Sequence, residues 1–251
     1  MSSKTVKSTL LERRSIRRYE REEIPQKTMD LIYDAIRNTP TSYNGQQYSV
    51  IDITDQELKL KLYDIIGAKQ IKTCNHFMAF LADFHKIGVL AKMKGAEMPP
   101  FTQTADGVIV GVVDAALTMM SAVVAAVSEG IGTCCIGYAR TANPEAVSKL
   151  LGLPKGTFLV CGLALGIPRE DPDLKPKQPK GLTIFKDKYP EDKELEPQLQ
   201  AYDEEITHYN TTRSGTTTDN DWGLHIMSYY QEAMSYKILE ALRHQGFDIT
   251  R

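Results

Sequence analysis

Four arginines crowd one serine near the start of the chain, in the run Arg13-Arg14-Ser15-Ile16-Arg17-Arg18. Planar guanidinium forks and a hydroxyl suit a phosphate, and mutual repulsion among the arginines favours an anionic partner. On spacing alone the run fits a phosphate site and a solvated basic patch equally. A second basic group, Lys175-Pro176-Lys177, lies in a proline-stiffened stretch. It suits a phosphate clasp, although an ordinary soluble loop is the plainer reading. Between the two, Thr41-Ser42-Tyr43-Asn44-Gly45-Gln46 gathers hydroxyls and amides around a glycine that lets a ligand approach the backbone. A plain turn has the same composition.

Other chemistries leave no trace in the sequence. There is no nucleophile elbow, no zinc-protease helix motif and no P-loop, and the five histidines (His76, His85, His208, His225, His244) are scattered without ligand spacing. No metal site is expected, and the chemistry falls to a bound cofactor. Gly130-Ile131-Gly132-Thr133-Cys134-Cys135 has two glycines of a dinucleotide fingerprint, but Cys135 stands in place of the third and the run opens a strand, which disfavours a Rossmann site. Cys74, Cys134, Cys135 and Cys161 lack paired or metal-binding spacing, so they read as reduced, mostly buried small hydrophobes.

Thirty basic against 32 acidic residues leave a net charge of -2, so no global field draws the chain to nucleic acid or to an anionic membrane. The first residues lack the apolar core of a signal peptide, which reads as cytoplasmic. Val108 to Val127 is long and apolar enough to imitate a membrane span, but Asp114 interrupts it and Asp106 and Glu129 bracket it. A helix buried on nearly all sides of a large domain is the expectation.

The elements that must position these groups read as one α+β domain over 1–251. A basic N-terminal helix is followed by a helix from Pro25 to before Pro40. Strands are expected at Tyr48–Ile53, Phe77–Phe84, Thr133–Ile136 and Thr157–Leu165, the last apolar throughout as in a central strand covered on both faces. Helices are expected over Gln56–Ile66, closed by Gly67, over the long apolar run, and from Asn143-Pro144 to Leu151. Four prolines make 168–180 an extended loop. A polar helix around Glu194–Tyr209, a loop from Thr211 to Asp221 and an amphipathic helix over Leu224–Leu242 form an arm from about 190 to 251 that wraps another subunit.

The order of these pieces resembles the nitroreductase family. Arg13–Tyr19, the Thr/Ser/Asn/Gln loop, Gly130-Ile131-Gly132 with Ile136–Arg140, Asn143-Pro144-Glu145, and Gly162–Pro168 leading to Lys175-Pro176-Lys177 fall in the family's sequence of motifs over nearly the whole chain. The tail, with Ala201-Tyr202-Asp203-Glu204 and Thr211-Thr212-Arg213, is similar to the longer branch of NADPH-dependent flavin reductases and oxygen-insensitive nitroreductases.

The resemblance implies a mostly antiparallel central sheet flanked by helices, an intertwined homodimer, and FMN at the subunit interface. It implies an enzyme that takes hydride from NADPH or NADH and reduces nitroaromatics, quinones or free flavins by a ping-pong scheme. By the same resemblance Arg13, Arg14, Ser15 and Arg17 hold the FMN phosphate and ribityl groups, with Lys175 and Lys177 closing on that end. Thr41, Ser42, Asn44 and Gln46 face the flavin, and Cys135, Ile136, Gly137 and Tyr138 lie along its ring. Lys69 stands where relatives carry a glutamine that reaches the flavin, and Arg213 matches the grip on the NADPH 2'-phosphate. Tyr138 replaces a usual glycine. Two other readings remain: a dedicated flavin reductase that supplies reduced FMN to a partner, and a binding module whose arginines meet an acidic partner without redox activity.

Overall fold

The structure is a computed structural model describing residues 5–250. The chain divides into two compact units, residues up to Asp171 together with Lys237 onward, and Pro172–Tyr236. The last helix therefore belongs to the first unit, where the sequence had drawn one arm from about 190 to the end.

In the first unit the elements are α1 (Val6–Leu11), α2 (Gln26–Arg37), β1 (Tyr48–Ile53), α3 (Gln56–Ile66), α4 (Gln70–Thr73), β2 (His76–Asp83), α5 (His85–Met93), α6 (Ala105–Ser128), β3 (Gly132–Ile136), α7 (Pro144–Leu150) and β4 (Thr157–Gly166). The second unit holds α8 (Asp192–Thr212) and α9 (Trp222–Ala233), and α10 (Ile238–His244) returns to the first. The sheet is antiparallel throughout, in the order β1-β2-β4-β3. Alternation along β2 sends Met78, Phe80 and Ala82 to one core and Phe77, Ala79 and Leu81 to the other. Both faces are thus covered, which is why β2 and β4 read as unbroken apolar runs.

Local signals set the ends. Asp55 accepts a hydrogen bond from Leu58 N–H to cap α3, and Asn143 caps α7 through Ala146 N–H. Helix α5 is absent from the sequence reading because its exposed Ile87, Val89, Leu90 and Met93 blur the period. The expected helix over Leu224–Leu242 is two helices, α9 and α10, with turns between Ala233 and Ile238. In the first unit Phe247, fully buried, packs edge-on against Phe84 and Phe158 at centroid distances of 6.0 and 4.9 Å. The Glu145–His244 ion pair joins α7 to α10.

Helix α6 packs on one face of the sheet, in the core it shares with α2, with Ala115, Ala122, Val123 and Ala126 buried. It is not buried on nearly all sides. Ile109, Val113, Leu117 and Met120, at helical spacing, stay 40–57% exposed and form one apolar stripe.

Candidate flavin site

The arginine run does not lie on a helix. Helix α1 stops at Leu11, and the chain continues extended beside the edge strand β3, where Ser15 pairs with Thr133 in a single parallel bridge and Ile16 N–H donates to Thr133 O at 2.9 Å. Ile16 presses on Gly132 so closely that a Cβ there would come within 2.9 Å of it, so only glycine admits this approach. Three residues on from Ile16, Tyr19 is buried and its hydroxyl donates to Ile16 O at 2.5 Å and Ala164 O at 3.3 Å. Burial pushes that hydroxyl far above its ordinary pKa, so it remains a donor. The segment is therefore fixed at both ends before any ligand arrives.

An extended backbone sends successive side chains to opposite sides, and this splits the four arginines. Arg14 pairs with Asp171 at 3.3 Å and Arg18 with Glu170 at 3.7 Å. Glu170 also accepts Arg17 N–H at 2.5 Å and Arg18 N–H at 3.2 Å. Arg13 and Arg17 have no carboxylate within 4.0 Å among the described residues, and their charges are felt by the thiols of β3, Arg13 by Cys135 and Arg17 by Cys134. Two arginines are thus neutralised within the protein, and Arg13 and Arg17 remain without a carboxylate partner among the described residues, Arg17 donating to Ser15 O at 3.4 Å. A cleft of about 480 Å³ beside the segment is lined by Arg13 as well as by the paired Arg14, with Arg169, Glu170 and Asp171 among others.

On β3 the thiols differ. Cys134 is buried, and burial raises its pKa while the nearby Arg17 pulls the other way. Cys135 is exposed, the only one of the four cysteines that is, although the atoms packed around its thiol push it up to about 11 as well. Beyond it Ile136 is buried, whereas Gly137 and Tyr138 are exposed on a tight turn over Gly137–Arg140. Lys69, the expected flavin contact after Gly67, is exposed at the start of α4. Its neighbour Gln70 instead reaches the arginine segment's strand, with Nε2 3.7 Å from Cys134 Sγ.

The polar loop at 41–46 is a built structure. Tyr43, Asn44 and Gln46 take positive φ angles of 56, 53 and 50°, at a cost of roughly 1–2 kcal/mol each for residues other than glycine. Against this stand two hydrogen bonds to a buried carboxylate. Asp114 of α6, fully buried, accepts Ser42 N–H through Oδ1 at 3.1 Å and Gln47 N–H through Oδ2 at 3.2 Å. Bonds to a charged acceptor contribute roughly 1.5–3 kcal/mol each, the same size as the strain. Thr41 Oγ1 accepts Gln46 N–H at 3.1 Å, so that hydroxyl already serves the loop. A Cβ at Gly45 would lie 2.2 Å from the Gln47 side-chain amide, which would have to move aside to admit it. Gln47 Oε1 is buried with no partner among the described residues.

Lys175, Lys177 and Arg213 all belong to the second unit. Asp173 joins their segments, its carboxylate accepting Ser214 N–H at 2.6 Å and its carbonyl accepting the Tyr209 hydroxyl at 3.3 Å. Arg213 ends α8, donates from Nε to Thr216 O at 2.7 Å and lies 5.9 Å from the Tyr209 ring centre. Asp114, Gln47 and Glu170 escaped the reading by sequence as site residues. Asp114 alone had a signal there, a carboxylate inside an apolar helix.

The nitroreductase family model matches residues 10–167, and the model of its C-terminal domain matches residues 175–250. The chain belongs to the nitroreductase family. This nitroreductase-family chain is 34% identical to the FMN reductase (NAD(P)H) of Bacillus subtilis strain 168, covering 97% of this chain and 98% of that protein. It is 35% identical to the oxygen-insensitive NADPH nitroreductase of Salmonella typhimurium, covering 93% and 94% respectively. The solved structure of the hypothetical oxidoreductase YcnD from Bacillus subtilis superposes with a TM-score of 0.94 at 34% identity, over 98% of this chain and 99% of that one.

Proposed function

We propose that this protein is an FMN-dependent NAD(P)H oxidoreductase that reduces nitroaromatics, quinones or free flavins. The observation that carries the reading is the sorting of the arginines: Asp171 and Glu170 neutralise Arg14 and Arg18, leaving Arg13 and Arg17 beside Ser15. Two guanidiniums and a hydroxyl match a phosphate dianion in charge and in donor geometry. Similarity to proteins named FMN reductase and NADPH nitroreductase supports the same reading.

In this reading Arg13, Ser15 and Arg17 hold the phosphate end of FMN. Thr41, Ser42, Asn44 and Gln46 present polar groups to the flavin, while Cys135 to Tyr138 offer it one flank. Gln70, rather than Lys69, is the side chain from its helix that reaches toward β3. NADPH or NADH is the electron donor, and Arg213 meets the 2'-phosphate when the donor is NADPH. When bound, FMN supplies the redox chemistry, accepting a hydride from the reduced nicotinamide and returning two electrons to the acceptor. The protein's share is binding, orientation and positive charge around an anionic cofactor.

The working state in this proposal is a cytoplasmic homodimer. The apolar stripe on α6 and the reduced state of the four cysteines support it. The visible spectrum of the purified protein before and after anaerobic NADPH tests the reading. A flavin band that NADPH bleaches is the expected result; no band, and no uptake of added FMN, overturns it. Relative turnover with free FMN, a nitroaromatic and a quinone then separates a dedicated flavin reductase from a broad one.

A further inference from the structure

We infer that Asp114 is a positioning residue of this enzyme, a buried anion that sets the polar loop at 41–47 in its flavin-facing conformation; the inference rests on the FMN reading of that loop. Asp114 lies in the middle of α6 and is fully buried, with no cation within 4.0 Å among the described residues. A carboxylate held this way must be compensated by hydrogen bonds, and both of its partners among the described residues are backbone N–H groups of one loop, those of Ser42 and Gln47. The hydroxyl of Thr118, one turn along α6, donates instead to the Asp114 and Ala115 carbonyls and leaves the carboxylate to the loop.

The two N–H groups bracket the loop, and the residues between them include Tyr43, Asn44 and Gln46, all in the left-handed region. Asparagine adopts that conformation readily, but tyrosine and glutamine do not, and sequence alone does not favour three such residues in so short a span. Clamping both ends to one rigid carboxylate makes it the resting state, so the loop meets a ligand without reorganising. Because α6 is also packed into the core with Ala115, Ala122 and Ala126 fully buried, the loop is referenced to a core helix rather than to its neighbours in sequence.

Hydrogen exchange on the wild-type protein without FMN is the first test. The amides of Ser42 and Gln47 are expected to exchange at least tenfold more slowly than that of Tyr43; equal rates overturn the clamp without any variant having to fold. Asp114→Asn, which keeps one acceptor, and Asp114→Ala, which keeps none, are then titrated with FMN by quenching of flavin fluorescence. FMN affinity is expected to fall about tenfold in the first and further in the second. At saturating FMN, kcat is expected to fall while KM for NADPH stays near the wild-type value. An effect that follows only the melting temperature across the three proteins, or unchanged affinity and exchange, overturns the inference. A wild-type protein that binds no FMN defeats the flavin reading instead, and the exchange rates still decide whether the clamp exists.

Discussion

The arginine run shows how little residue type alone decides. Four guanidiniums in six positions look equivalent, yet the extended backbone hands Arg14 and Arg18 to Asp171 and Glu170 and leaves Arg13 and Arg17 beside Ser15. Arg17→Ala is therefore expected to lower FMN affinity at least tenfold, and Arg18→Ala no more than twofold, since an exposed arginine paired with a carboxylate contributes little. Fluorescence titration of the apoproteins checks both, and equal losses would mean that the sorting of the arginines has no bearing on the phosphate. The thiols give a second test at this scale. Cys74 is buried and its pKa is pushed up to about 12, chiefly by burial, so at pH 8 it stays a protonated, inaccessible thiol. Cys135 is exposed, so a maleimide should label it first, and saturating FMN should slow that labelling. Peptide mapping of the labelled protein distinguishes the four sites.

At the scale of elements, the sheet and its helices position the site through a few joints. The arginine segment is held to β3 by one bridge and by the buried Tyr19, and the polar loop is held to α6 by Asp114. The closing segment after α10 is held by Phe247, enclosed by Phe84 and Phe158. Phe247→Ala should lower stability by about 3–5 kcal/mol, the usual cost of emptying a buried aromatic site. Urea denaturation at one fixed protein and FMN concentration measures it, because bound ligand shifts the apparent value. Removing the α7 cap by Asn143→Ala should cost about 1 kcal/mol in the same assay.

For the whole molecule, the decisive surface is the apolar stripe Ile109, Val113, Leu117 and Met120 along α6. Isolated exposed leucines are ordinary, but a continuous helical stripe of this kind marks a surface that another body covers. The homodimer proposed above is that body. Leu117→Arg is expected to shift the protein from dimer to a smaller species in sedimentation and to lower its flavin content with it. A wild-type chain that sediments as a folded, flavin-bound monomer would remove this proposal while leaving the Arg13–Arg17 site untouched.

Much of the architecture was legible in the residues themselves. β1 and α3 begin and end where alternation, Asp55 and Gly67 place them, and β4 reads as a central strand because its apolar run has no polar face. Those features are local: side-chain period, caps and turn residues act within a few positions of the chain. The family and its cofactor were likewise legible, because the order of the motifs is a property of the sequence. What tertiary structure alone decided is which like residues become unlike. The sequence does not say that Asp171 and Glu170 meet two of the four arginines, that Gln70 and not Lys69 approaches Cys134, or that α6 leaves one apolar face open. Nor does it say that Asp114, an apparent flaw in an apolar helix, accepts two hydrogen bonds from a loop about 70 residues away in the chain. These pairings join positions far apart in sequence, where no local propensity acts, and they exist only once packing has brought the elements together.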